Sequence, residues 1–223
     1  MAHLGRWAKK MTITTKRRYL ADFREALQRA RALSESLVQH GRYEKVAGVT
    51  TMIPPTDRRE IIAFIFLEVS AKFESFAYLA FQYDVCRWYK ITTTRSEFVV
   101  GNADRGTKGI FGWAIPERLA IRGKNLLTKE SLFGDLRKAL GDILFETLTV
   151  AHELRNRVAH DPATASTSIS KLAASLGVPS TEMKGLSVGR LLLEYPKGCS
   201  LADSYFHILL DAYEEFAAVY ELY

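Results

Sequence analysis

The densest chemistry in the chain lies between Glu153 and Pro162, which read E-L-R-N-R-V-A-H-D-P. Arg155, Asn156 and Arg157 precede His160, with only Val158 and Ala159 between them. Histidine has an ordinary pKa suited to proton transfer near neutrality. Arginine presents a planar, permanently charged fork of donors to phosphate oxygens. These are the groups that could cut RNA without a metal: one moves the 2′-hydroxyl proton, and the other stabilises charge on the phosphorane. Asn156 can donate and accept, and so can orient either partner or hold a backbone group. Pro162 lacks an amide donor and biases Asp161 out of the helical region, so His160 is expected at a helix end.

The choice of arginine is open at this point. On a regular helix Arg155 and His160 stand about 140° apart around the axis, whereas Arg157 and His160 are about 60° apart. Either the helix frays before His160 or Arg157 shares the phosphate role. A structural reading competes with both. Arg155 can pair with Glu153 or with a helix C-terminus, and His160 can be a satisfied structural histidine.

The elements that must position this segment are helices. Leu132, Leu136, Leu140, Ile143, Leu144, Leu148, Ala151 and Leu154 mark a helix that starts near Thr128 or Ser131 and delivers Arg155 and His160 at its C-terminal end. Leu20, Phe23, Leu27, Ala30, Leu33 and Leu37 mark an earlier one from about Thr15 to His40, with Gly41 as its stop. Between them, Asp57 and Glu60 read as a capping box for a long helix reaching about Lys90. Its apolar residues cover more than one face, as in the central element of a bundle. A last helix from about Leu201 to Leu222 carries Tyr205, Phe206, Leu209, Leu210, Tyr213, Phe216 and Tyr220.

Residues 91–130 and 163–200 lose the helical period and read as loop-rich insertions. A short hairpin is expected in the first, and a short helix at 169–176 with an extended piece at 191–193 in the second. Residues 1–14 read as a flexible arm. The expectation is an all-α chain, with one helical domain over 15–223.

The chain has 223 residues, 48% apolar and 25% charged, as soluble globular proteins do. Cys86 and Cys199 form no disulfide framework or zinc pattern, and no apolar run resembles a signal peptide or membrane span; a cytoplasmic protein without membrane contact is expected. The net charge of +6 is concentrated in residues 1–31, which hold nine Lys or Arg against Asp22 and Glu25. Such an arm can attract phosphate backbones, or can be a solvated helix face.

Three other chemistries lack their motifs. In Gly101–Lys108 the order Thr107-Lys108 is reversed relative to a P-loop, His152-Glu153 is followed by Asn156 where a zinc protease needs its second histidine, and no G-x-S-x-G elbow occurs. No metal or other cofactor is expected.

With its helical lead-in, the set Arg155, Asn156 and His160 resembles the motif of the HEPN family (higher eukaryotes and prokaryotes nucleotide-binding domains), written Arg, four to six residues, His, often with a polar residue after the Arg. That resemblance implies a HEPN-like bundle of four to five helices and a metal-independent endoribonuclease. His160 is then the general acid/base, Arg155 the phosphate partner and Asn156 a support. It implies RNA as substrate, a homodimer with facing motifs, a toxin or anti-phage role and a regulatory antitoxin. Members often carry an acidic residue on the helix beside the motif, and Glu74 in Phe73-Glu74-Ser75-Phe76 resembles it; the other reading of Glu74 is a solvated edge. A non-catalytic HEPN-like module that binds nucleotide, RNA or a protein, and an unrelated helical interaction protein, are the alternatives.

Overall fold

Four long helices carry the fold: α1 (Ile13–His40), α2 (Pro55–Tyr89), α5 (Leu136–His160) and α7 (Tyr205–Leu222), with the shorter α3 (Thr93–Asn102), α4 (Pro116–Leu126) and α6 (Val188–Glu194) between them. The computed structural model describes residues 12–46, 48–102, 112–160, 173–174, 176–183 and 186–223. Strands β1 (Arg42–Val46) and β2 (Val49–Met52) pair antiparallel, Arg42 opposite Met52 and Val46 opposite Val49. The chain is thus mostly helical, as expected, and none of its described helices is long and apolar enough to cross a membrane. Of the arm expected at residues 1–14, residues 1–11 lie outside the described residues while Ile13 and Thr14 already belong to α1; of the P-loop-like stretch Gly101–Lys108, residues 103–108 lie outside them.

By compactness the chain divides into two units, one made of residues 1–24, 73–145 and 215–223, the other of 25–72 and 146–214. The core of the first is aromatic. Phe23 stacks on Phe76 at 4.7 Å, Phe216 meets Phe73 edge-on at 5.1 Å, and Phe133 meets Phe81 at the same distance. Such pairs add about 0.5–1.5 kcal/mol each to the burial of their rings. The second unit buries Leu27, Ile62, Phe66, Leu154, Leu191, Phe206 and Leu210. The Tyr213 hydroxyl there donates to Ser70 Oγ (3.0 Å), whose own proton goes to the Phe66 carbonyl (2.7 Å).

Several local expectations shift. In α1 the buried stripe is Leu20, Phe23, Leu27, Ala30, Ser34 and Leu37, so Ser34 rather than Leu33 turns inward. In α5 Gly141 departs from helical geometry (φ 76°, ψ 161°) and re-phases the residues after it, leaving Ile143 87% exposed and Phe145 buried in its place. Along α2 one side is open, with Ile61 and Phe64 exposed beside Glu60 and Glu68. The stretch 91–130 is not mainly loop, since it holds α3 and α4, while residues 103–111, where a hairpin would have room, lie outside the described residues; the described hairpin is at 42–52. Residues 191–193 lie within α6, whose N-terminus is capped by Ser187 Oγ accepting from the Arg190 amide (3.2 Å).

Candidate functional site

The second half of α5 carries the Arg/His segment in the second unit. Leu144, Leu148, Ala151 and Leu154 are buried and recur at spacings of four and three, so one face of the helix is committed to the core. Arg155, Asn156 and Arg157 are half-buried, and Glu153 is exposed.

A short hydrogen-bonded chain runs along this helix. Arg155 Nη1 donates to Asn156 Oδ1 (3.2 Å), and Asn156 Nδ2 lies 2.8 Å from His152 Nε2. With Oδ1 turned to the guanidinium, Nδ2 is the donor toward His152 Nε2. His152 thereby joins Arg155 and Asn156. Sequence reasoning weighed it only as a zinc ligand, although its one-turn spacing from Asn156 was the available signal.

The helix persists through His160. Fraying before the histidine is therefore not how the backbone resolves the question of the two arginines. Taking His152 as zero, regular geometry places Asn156 at about 40°, His160 at about 80°, Arg157 at about 140° and Arg155 at about −60° around the axis. Arg155 borders the core stripe, whereas the backbone positions of His160 and Arg157 lie with exposed Glu153 on the opposite side. The side chain of His160 lies outside what is described, as does Asp161.

Glu74 belongs to the first unit. Its Oε1 accepts from the amides of Gly112 (2.9 Å) and Trp113 (3.3 Å), tying the segment before α4 to α2. The Trp113 ring packs against Tyr78 and Phe81, with the buried Arg122 guanidinium 4.1 Å over it.

His207 lies near a serine without forming a nucleophilic pair. Ser34 Oγ gives its only proton to the Arg31 carbonyl (2.8 Å), so across the 3.3 Å contact His207 Nε2 is the donor and the serine the acceptor. A nucleophile needs the reverse. Arg31 itself pairs with Asp211 and with Glu214, the latter at 2.8 Å.

No protein-family model, curated protein or solved structure matches the chain.

Proposed function

We propose that the chain is a metal-independent endoribonuclease of the HEPN type. His160 takes the 2′-hydroxyl proton and returns a proton to the leaving 5′-oxygen, and the attacking oxygen closes on the adjacent phosphorus. A guanidinium on the non-bridging oxygens offsets the charge that develops. The observation that carries this reading is the chain His152–Asn156–Arg155 on a helix that continues to His160. It bonds the Arg155 guanidinium to the residue that is often polar in the family motif. Helix geometry adds Arg157 as the cation nearer the histidine. Following the resemblance, the protein acts as a symmetric homodimer with facing motifs, as a toxin or anti-phage effector held in check by an antitoxin.

The test is cleavage of a broad RNA panel with a chelator present, comparing wild type with Arg155→Ala, Arg157→Ala and His160→Ala. Wild type is expected to cut, and loss of the general acid/base is expected to slow it by about 10²–10⁴-fold. A larger loss in Arg157→Ala than in Arg155→Ala would assign the phosphate to the residue that helix geometry favours. A well-folded wild type that binds RNA or nucleotide and cuts nothing would replace catalysis with the non-catalytic module.

A further inference from the structure

The C-terminal end of α2 presents four consecutive exposed side chains, Arg87, Trp88, Tyr89 and Lys90. They are left open by the way the helix stops. Lys90 takes a left-handed φ of 55°, and the Ile91 amide reaches back to the Cys86 carbonyl (3.1 Å), the six-to-one bond of a Schellman cap. Trp88 is 47% exposed and its ring makes no aromatic or cation–π contact among the described residues. Trp113 is the contrast, 3% exposed and enclosed by Tyr78, Phe81 and Arg122. A large indole held half in water is uncommon in a core-forming role.

The exposed charges around Trp88 are mainly cationic. Tyr89 OH donates to the Leu126 carbonyl (2.8 Å), which brings the end of α4 beside the end of α2, together with exposed Lys124 and, three residues past Leu126, exposed Lys129. Two of the nearby carboxylates are held by neighbours. Asp84 accepts from Ser131 Oγ (2.5 Å) and Tyr220 OH (3.3 Å), and Glu221 pairs with Arg24 at 2.6 Å. Glu130, bonded to the Thr128 hydroxyl, and Glu97, whose charge reaches Cys86, are further exposed acids of this neighbourhood. Arg87, Lys90, Lys124 and Lys129 form no ion pair among the described residues.

We infer that this end of the first unit docks single-stranded nucleic acid, with Trp88 stacked on a base and Arg87, Lys90, Lys124 and Lys129 along the phosphates. Only a single strand uses both halves of the surface. A duplex hides its base faces, and an acidic peptide would use the cations without engaging the indole. The inference does not rest on the cleavage reading, because docking needs no reaction at α5.

The test is fluorescence anisotropy with a labelled oligothymidine of about 20 nucleotides, long enough for several stacking sites. Lacking a 2′-hydroxyl, it cannot be cut by the proposed chemistry. Trp88→Ala is expected to weaken binding about tenfold with little change in salt dependence. The double variant Arg87→Gln/Lys90→Gln is expected to lower the slope of log K against log salt by about 1.4, two phosphates' worth for a single strand. Circular dichroism should be unchanged in both, as these side chains are exposed. The inference is overturned if Trp88→Ala binds like wild type, or if duplex DNA, polyglutamate or phosphatidylserine vesicles compete as well as unlabelled oligothymidine.

Discussion

His207 is buried, and burial together with the adjacent Arg31 holds its imidazole below the ordinary 6.5, while Asp211 and Glu35 pull it upward. In the unfolded chain the ring binds its proton near 6.5, but in the folded protein only at lower pH. Between those two values the unfolded state holds more protons, so stability is full above pH 6.5 and is lost as pH falls through the window beneath it. Urea unfolding from pH 8 to pH 5 should show that decline. His207→Gln keeps a donor for Ser34 without the titration and should flatten the curve; an unchanged curve would show that another group titrates. None of this could be read from position 207 alone. The partners Ser34 and Arg31 come from α1, far away in the chain. Glu74 was legible as an acid on α2, but its acceptance of the Gly112 and Trp113 amides depends on where the chain returns.

At the scale of elements, two backbone positions have opposite expected effects. Gly141 has φ 76° and ψ 161°, a region essentially reserved for glycine, and a Cβ there would meet nothing within 4 Å. Gly141→Ala should therefore destabilise through backbone strain alone, by about 1–3 kcal/mol in denaturant titration. Lys90 occupies the C-cap position that glycine favours, with φ 55°. Lys90→Gly should relieve about 1 kcal/mol of strain and raise the melting temperature while weakening oligothymidine binding. A variant that is more stable and binds equally well would remove Lys90 from the docking surface. The long helices were legible because three-and-four periodicity survives wherever one face is buried. The shorter α4 was hidden by its own Gly123. That residue breaks propensity, yet a Cβ there would lie 1.7 Å from the Phe133 carbonyl oxygen. Close approach of two backbones is a tertiary demand, and it reads in sequence as a loop signal.

For the whole molecule, the Arg/His segment lies in one compact unit and the Trp88 surface in the other. Cleavage and docking should then separate by mutation. His160→Ala should bind oligothymidine with wild-type affinity, measured by the same anisotropy assay, whereas Trp88→Ala should keep cutting a short RNA present in excess. Loss of both functions in either variant, with folding intact, would mean that one surface serves both. The net charge of +6 supplies long-range attraction for any polyanion, and local geometry supplies the distinction between the two surfaces.

Sequence alone determined that this chain is helical, where its four long helices run, and that Arg155, Asn156, Arg157 and His160 crowd the end of one of them. Each of these comes from spacing along a single element. Tertiary structure decided what crosses between elements or depends on a local break. It placed Ser34 inward beside His207, re-phased α5 at Gly141, folded 93–102 and 116–126 into helices, and tied up Asp84 and Glu221 near Trp88 while Arg87, Lys90, Lys124 and Lys129 form no ion pair among the described residues. It also carried α5 through His160 and set His152 against Asn156. The physical reason is range: hydrophobic periodicity is a property of neighbours within a few residues, whereas burial, hydrogen-bond partners and charge balance are set by residues that only folding brings together.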